Sequence, residues 1–170
     1  MNNVTLIGMP GSGKSTIGVI LAKALRYEFL DSDLLIQKQE KRKLSEIIAQ
    51  DGPERFKEIE NQVNADIRVT DTVIAPGGSV IYCEEAMEHL KSIGNIIYLK
   101  LSLESLSKRL GDLKGRGVLL KDGQTLKDLY EERVPLYEKY ADITIDEEGK
   151  DLDESLRAIL EIIHIREQGK

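Results

Sequence analysis

The chain has 170 residues and a mass of 19.1 kDa, which suits one domain with its own hydrophobic core. Its net charge of −6 argues against a general nucleic-acid binder. No apolar run approaches the ~20 residues of a membrane-spanning helix, no signal peptide is recognisable, and the single cysteine excludes an internal disulfide. We therefore expect one cytoplasmic, monomeric domain over residues 1–170, without nucleic-acid or membrane partners.

Short apolar runs alternate with longer amphipathic segments along the chain. The apolar runs predict strands at 4–7, 27–30, 72–75, 96–99 and 142–145. The amphipathic segments predict helices at about 14–25, 33–50, 53–68, 84–92, 103–110, 125–139 and 152–165. Because continuously apolar strands separated by helices are typical of parallel sheets, we predict an α/β fold, a three-layer αβα sandwich with about five parallel strands. Residues 111–124 contain four glycines and no clear period, which indicates a lid.

A phosphate-binding motif follows the first predicted strand. Gly8-Met9-Pro10-Gly11-Ser12-Gly13-Lys14-Ser15 matches G-x-x-x-x-G-K-S/T and opens the first predicted helix. The glycines let successive backbone N–H groups turn toward phosphate oxygens, and the helix N-terminus adds its positive end. Lys14 is predicted to reach the β- and γ-phosphates of ATP and Ser15 to ligate Mg²⁺. The other nucleotide-binding residues that we predict here are Gly11, Ser12, Gly13 and Thr16. The alternative is a glycine-rich turn without a ligand.

The rest of the chain favours a small phosphotransferase among the P-loop proteins. The sequence contains no Asn-Lys-x-Asp motif for guanine, and it is too short for a motor or transporter ATPase. Asp31 and Asp33 follow the second strand, and period-2 geometry predicts that they share a face beside the phosphate loop. One carboxylate can assist Mg²⁺ through water, while the other holds a substrate hydroxyl and accepts its proton. The alternative is that Asp33 caps a helix beginning at Leu34.

The order of these motifs resembles the shikimate kinase family over nearly the whole chain. It runs from the P-loop through Asp31-Ser32-Asp33, Phe56-Lys57-Glu58-Ile59-Glu60, Gly77-Gly78 and Arg116 to Arg133-Val134-Pro135-Leu136-Tyr137. The resemblance implies a five-stranded P-loop NTPase fold of nucleoside-monophosphate-kinase type with a lid. It also implies transfer of the γ-phosphate of ATP to the 3-hydroxyl of shikimate with Mg²⁺, a step of aromatic amino acid biosynthesis.

The resemblance also implies roles for single residues. Asp33 would hold the reacting hydroxyl and serve as base, with Asp31 on the magnesium side. Arg133 would bind the substrate carboxylate, Arg116 would close over the phosphates as the lid arginine, and Arg109 would pack against adenine. The backbone at Gly77 and Gly78 would cradle the substrate. Taken alone, each arginine is equally compatible with a solvated surface, and Lys108-Arg109 also suits a helix C-terminus.

The chain departs from the family pattern on the acceptor side. Lys57 stands where the family has an arginine for the substrate carboxylate, Ser79 follows Gly77 and Gly78 where a third glycine is usual, and Arg116 is followed by Gly117 instead of proline. Lysine keeps the charge but loses the planar fork of donors. We assign Lys57 and Ser79 to the acceptor site. The alternatives are a different hydroxylated acid or polyol as acceptor, or a regulatory module that binds ATP without transferring phosphate.

Overall fold

A sheet of five parallel strands forms the centre of the molecule. The computed structural model describes residues 2–110 and 123–168. The strands are β1 (Asn3–Ile7), β2 (Glu28–Asp31), β3 (Thr72–Ala75), β4 (Gly94–Lys100) and β5 (Ile143–Asp146). They pair in parallel in the order β2-β3-β1-β4-β5. The predicted fold class is therefore confirmed, and each predicted strand lies within two residues of its observed bounds.

Helices follow the strands and cover the sheet. They are α1 (Lys14–Leu25), α2 (Ser32–Glu40), α3 (Leu44–Ala65), α4 (Glu84–Ile93), α5 (Leu103–Leu110), α6 (Leu126–Tyr140) and α7 (Leu152–Gln168), with a short 3₁₀ turn at Val80–Tyr82. Neighbouring strand residues point to opposite sides of the sheet, and in the central strands β1, β3 and β4 most residues on both sides are buried. In β4, Ile96 and Tyr98 pack into one core, while Ile97 and Leu99 pack into the other. Burial on both sides explains why the central strands are mostly apolar, whereas the edge strand β5 alternates buried and exposed residues.

The segment between β2 and β3 differs from its predicted division into helices 33–50 and 53–68. The first helix ends at Glu40, Lys41 adopts a left-handed φ of 55°, and α3 begins at Leu44. The carboxylate of Glu46 caps this start by accepting a hydrogen bond from the Lys43 N–H at 2.7 Å. The break expected near Pro53 is only a kink within α3, at Gly52 with φ 83°.

The strand order brings three chain segments to one edge of the sheet. Strands β2, β3 and β1 are neighbours, so the segments that follow Asp31, Ala75 and Ile7 lie side by side at their carboxyl ends. Of the predicted lid, all but the last two residues fall outside the described residues, and so does Arg116. Within the described ranges, none of the helices combines the length and hydrophobicity needed to cross a membrane.

Candidate active site

The phosphate loop joins β1 to α1 in a conformation that depends on glycine. Gly11 and Gly13 have φ of 82° and 87°, in the left-handed region, and Gly13 is the N-cap of α1. The Lys14 ammonium donates hydrogen bonds to the carbonyl oxygens of Gly8 at 2.8 Å and Met9 at 3.2 Å. Lys14 therefore lies across the loop, at the N-terminus of a helix that is open to an anion.

The charge of Lys14 is sensitive to its surroundings. Burial lowers the pKa of this ammonium to about 8, with opposing contributions from the carboxylates of Asp33 and Asp31. The positive charge of Arg133 also lowers the pKa. A phosphate placed beside Lys14 would stabilise its charged form, so nucleotide binding and protonation of Lys14 favour each other.

Asp31 and Asp33 have different roles in the local structure. Asp31 is the N-cap of α2, because its Oδ1 accepts from the backbone N–H of Asp33 at 2.9 Å and of Leu34 at 3.2 Å. The other oxygen, Oδ2, accepts from the hydroxyl of Ser15 at 3.5 Å. The alternative of Asp33 as the cap is therefore wrong. Asp33 lies in the first turn of α2, and its carboxylate caps no helix among the described residues.

The ionisation of Asp33 is strongly perturbed by its position beside the phosphate loop. Burial raises its pKa to about 6, and the charge of Asp31 adds to this rise, whereas Lys14 opposes it. A carboxylate with this pKa is mostly ionised at neutral pH. It is also a better proton acceptor than an exposed aspartate.

One cavity of about 290 Å³ contains most of the predicted site. It is lined by residues of the phosphate loop, by both aspartates and by the segment after β3. The predicted residues in its wall are Gly11, Gly13, Lys14, Ser15, Thr16, Asp31, Asp33, Gly77, Gly78, Ser79 and Arg133. Ser12, in the same loop, is buried and does not line the cavity. Its hydroxyl has no hydrogen-bond partner among the described residues.

The two glycines after β3 lie in close contact with charged side chains. A Cβ built on Gly77 would lie 2.9 Å from Asp33 Oδ1 and 3.0 Å from Glu60 Oε1, so both carboxylates crowd the same side of this residue. A Cβ on Gly78 would lie 3.0 Å from Arg133 Nη1. Side chains from α2, α3 and α6 therefore converge on the backbone of this segment, and a side chain at either glycine would displace them.

Arg133 is buried deeply for an arginine, with only 2% of its surface exposed. Its guanidinium carbon lies 5.5 Å from the centre of the Tyr82 ring, and its Nε has no hydrogen-bond partner among the described residues. Beside it, the Tyr137 hydroxyl donates to the carbonyl of Gly78 at 2.7 Å. A buried guanidinium aimed at a cavity is suited to a carboxylate or a phosphate.

Lys57 lies apart from the phosphate loop. It is exposed and lines a second cavity of about 260 Å³, whose wall shares Phe56, Ser79 and Arg133 with the first. Arg55, two residues earlier, points elsewhere, since its guanidinium pairs with the Glu58 carboxylate at 2.8 Å. An anion held by both Arg133 and Lys57 would therefore reach from the first cavity toward the second.

Arg109 reaches the phosphate loop from the end of α5. Its Nη1 donates to the carbonyl of Gly11 at 3.5 Å, which puts the guanidinium at the edge of the loop. This position is compatible with contact to a bound nucleotide. Arg116, the predicted lid arginine, lies outside the described residues.

Two buried carboxylates near the site were not predicted from the sequence. Glu60 ends the Phe-basic-x-x-Glu motif but received no role there, and Glu147 follows β5. Glu147 is 2% exposed, and its Oε2 has no hydrogen-bond partner among the described residues. Burial raises its pKa to about 7, opposed by the charges of Arg109 and Lys14. Only the motif marked Glu60 in the sequence, and nothing there distinguished Glu147 from neighbouring acidic residues.

Ser15 and Asp31 are the residues that could hold a magnesium ion. The described ranges contain no group of three or more His, Cys, Asp or Glu side chains that could bind a metal on their own. A hydroxyl and a carboxylate 3.5 Å apart at an exposed edge fit Mg²⁺, which binds oxygen donors and completes its shell with water and phosphate.

One cavity combines a glycine-rich loop at a helix N-terminus, a carboxylate with a raised pKa and a buried arginine. This combination defines a P-loop kinase for a small anionic acceptor. The family model described as "Shikimate kinase" matches residues 10–164. A shikimate kinase of Thermodesulfovibrio yellowstonii is 36% identical over 173 residues, covering 100% of this chain and 99% of the relative.

Solved structures agree with this match. The shikimate kinase from Acinetobacter baumannii in complex with shikimate superposes with a TM-score of 0.87 at 31% identity, covering 98% of this chain and 94% of the other. The shikimate kinase from Aquifex aeolicus has a TM-score of 0.85 at 32% identity, covering 99% of both chains. The chain therefore belongs to the shikimate kinase family, and it is an ATP-dependent kinase that works with Mg²⁺.

Proposed function

We propose that this chain transfers the γ-phosphate of ATP to the 3-hydroxyl of shikimate. The observation that carries the proposal is the single cavity in which Lys14, Asp33, Gly77, Gly78 and Arg133 meet. The family membership and the likeness to a relative solved with shikimate support the same acceptor. Binding of ATP alone would require neither the Asp33 carboxylate with its raised pKa nor the buried Arg133.

The reaction forms one bond and breaks another at the γ-phosphorus. The 3-hydroxyl oxygen of shikimate bonds to this phosphorus, the bond to the bridging oxygen breaks, and ADP leaves. The hydroxyl proton passes to Asp33, whose raised pKa of about 6 suits an acceptor that is ionised before the reaction. Asp33 also orients the hydroxyl toward the phosphate.

The phosphate loop and its lysine provide the electrostatic part of catalysis. Backbone N–H groups from Gly11 to Thr16 and the Lys14 ammonium hold the β- and γ-phosphates and stabilise charge that develops during transfer. Ser15, and Asp31 through water, would hold Mg²⁺, which neutralises phosphate charge when it is bound. Arg109 would pack against adenine, and Arg116 would reach the phosphates from the lid.

The acceptor is held by its carboxylate and by backbone. Arg133 binds the shikimate carboxylate, assisted by Lys57 from the side of the second cavity. Gly77 and Gly78 let the ring approach the main chain, and Ser79 borders both cavities. A domain comprising residues 1–170, a lid at 111–124 and a monomeric state complete the proposal. Size-exclusion chromatography with light scattering tests the monomer.

The first experiment measures ADP release from Mg-ATP with and without shikimate. Strong stimulation by shikimate is expected, and ³¹P NMR of the product should show a phosphate ester on the 3-hydroxyl. ATP binding without stimulation would contradict the proposed acceptor. Stimulation by a different hydroxylated acid would favour the second candidate, a kinase of the same family with another acceptor, which the displacement of Lys57 from the first cavity favours.

A further inference from the structure

Glu60 is a buried carboxylate with a single close hydroxyl partner. It lies on α3 with 1% of its surface exposed. The Ser79 hydroxyl donates to it, with Oγ 2.9 Å from Oε1 and 2.8 Å from Oε2. One hydroxyl hydrogen thus serves both carboxylate oxygens, and the Cys83 Sγ, at 3.9 Å from Oε2, is a weak donor. This shell is sparse for an ionised buried carboxylate.

Charged and titratable groups face Glu60 from every neighbouring element. They are Asp33 on α2, Arg133 and Tyr137 on α6 and Cys83 after the 3₁₀ turn, with Lys57 on α3 itself close to Cys83. Among the described residues, Glu60 forms no ion pair within 4.0 Å. Burial raises the pKa of Glu60 to about 7, opposed first by the Ser79 hydrogen bond, while Asp33 adds to the rise and Arg133 opposes it.

Glu60 also lies where the acceptor carboxylate would be bound. It lines the second cavity together with Ser79, Lys57 and Arg133. Its Oε1 lies within 3.0 Å of the Cβ position of Gly77, in the wall of the first cavity. An anion held by Arg133 therefore lies beside Glu60, and an ionised Glu60 would repel it whereas a protonated one would not.

We propose that Ser79 is a positioning residue that holds Glu60 beside the carboxylate subsite, and that the proton on Glu60 controls affinity for the anionic acceptor. This inference rests on the proposed function. The carboxylate of the acceptor is already ionised above about pH 5, so its own charge is constant in the relevant range. Acceptor binding is therefore linked to the protonation of Glu60.

The linkage has a definite direction. The acceptor anion binds more tightly when Glu60 is protonated, because ionised Glu60 repels it. The Kd of the acceptor therefore rises as pH increases through the ionisation of Glu60. The Ser79 hydrogen bond favours the ionised form, so its removal raises the pKa of Glu60 and moves the rise in Kd to higher pH. Removal of the Glu60 charge removes the part of the rise in Kd that Glu60 causes.

Calorimetric titration with shikimate from about pH 6 to about pH 9 tests this inference. For the unmodified chain the Kd is expected to rise roughly three- to tenfold, with a parallel rise in the KM for shikimate, whereas kcat should change only by the roughly twofold that the ionisation of Asp33 gives near pH 6. Glu60→Gln should lose most of the rise and keep only the part that Lys14 contributes as it titrates near pH 8, and Ser79→Ala should move the Glu60 part of the rise upward by roughly one pH unit. Ser79→Thr retains the hydroxyl and should keep the original profile.

Ser105→Ala is the matched control. The Ser105 hydroxyl also donates to a glutamate, with its Oγ 2.6 Å from Glu148 Oε1, but this exposed pair lies at α5 outside both cavities. For Ser105→Ala, the Kd for shikimate should change with pH as it does in the unmodified chain. If Glu60→Gln does not fold, Ser79→Ala and Ser79→Thr carry the test, with folding checked by thermal unfolding.

Two results separate this inference from the proposed function. A Kd for shikimate that stays constant with pH in the unmodified chain, or a rise that persists unchanged in Glu60→Gln or Ser79→Ala, would overturn the inference alone. Absence of shikimate-dependent ADP release at every pH, with ATP binding intact, would overturn the proposed function and the inference together.

Discussion

The two sides of the cavity are constructed in different ways. The nucleotide side is one continuous segment, Gly8 to Thr16, whose lysine is hydrogen-bonded to carbonyls five and six residues earlier in the chain. The proposed acceptor side combines Asp33 from α2, Glu60 from α3, the Gly77-Gly78 segment and Arg133 from α6. A local motif fixes the first geometry, whereas the second depends on how four distant segments pack.

This difference predicts different sensitivities to substitution. Substitutions on the acceptor side should change binding of the acceptor or the chemical step, and leave ATP binding nearly intact. The depth of burial also differs, because Ser15 and Thr16 are exposed, whereas Glu60 and Arg133 are buried and depend on their neighbours. Changes at the buried positions should therefore have the larger effects on acceptor specificity.

Asp33→Asn should have the largest effect. An amide cannot accept the hydroxyl proton, so kcat is expected to fall by roughly 10²- to 10⁴-fold. Steady-state ADP release measures kcat, and calorimetry measures ATP binding, which should survive. A kcat within about threefold of the unmodified chain would show that the proton goes elsewhere.

Arg133→Lys should reduce activity nearly as much, but by weakening the binding of the acceptor. Lysine keeps the charge but cannot present two parallel donors from this buried position, so kcat/KM for shikimate should fall roughly 10- to 100-fold. The KM for ATP, measured in the same assays, should change by less than about twofold. An equal rise in both KM values would mean that Arg133 supports the whole cavity and not the acceptor alone.

The pH profile of kcat tests the ionisation of Asp33. Its pKa of about 6 means that the base is ionised above this value and becomes protonated below it. The kcat should therefore fall as pH decreases through about 6, approaching about tenfold per pH unit at lower pH. A kcat that stays level down to about pH 5 would contradict Asp33 as the base, provided that circular dichroism shows the chain folded there.

Lys57→Arg should strengthen the binding of shikimate. If Lys57 contacts the carboxylate from the second cavity, the guanidinium fork should lower the KM for shikimate by roughly two- to fivefold. Arg55→Lys is the matched control, because Arg55 is exposed, pairs with Glu58 and lines neither cavity. A KM unchanged in Lys57→Arg would place the shikimate carboxylate on Arg133 alone.

The smallest expected effect concerns the stacked tyrosines behind Arg133. The rings of Tyr98 and Tyr137 stack with centres 5.1 Å apart, but only the Tyr137 hydroxyl has a partner among the described residues, the carbonyl of Gly78. Tyr137→Phe should lower the free energy of unfolding by about 1 kcal/mol, and Tyr98→Phe should leave it unchanged or slightly higher. Urea unfolding measures both, and equal losses would contradict the assigned hydrogen bond.

Sequence patterns located most elements of the fold but not every boundary. The positions of the central strands followed from apolar runs, because both faces of the sheet are buried there. The end of α2 at Glu40 was missed because Lys41, a residue without special turn chemistry, adopts a left-handed conformation there. The cap of α2 was missed too, since Asp31 and Asp33 are both capping residues and only the backbone geometry distinguishes them.

The contacts on the proposed acceptor side could not be predicted without knowing how the helices pack. Glu60 stood within the resembling motif, yet no spacing rule shows that it meets Ser79 and crowds Gly77. Lys57 was assigned to the same site from the motif, but the rotation of α3 turns it toward the second cavity. Helical periodicity alone does not say which neighbour a helix face meets.

By itself, the sequence determined the alternation of strands and helices, the P-loop and the family. Each of these depends on residues that are close together in the chain, or on an order of motifs that survives without coordinates. The tertiary structure decided which of the two aspartates caps a helix and which one lines the cavity without a capping contact. It also paired Ser79 with Glu60 and buried Arg133 against Gly78, because burial, hydrogen bonding and charge coupling depend on distances between residues remote in sequence.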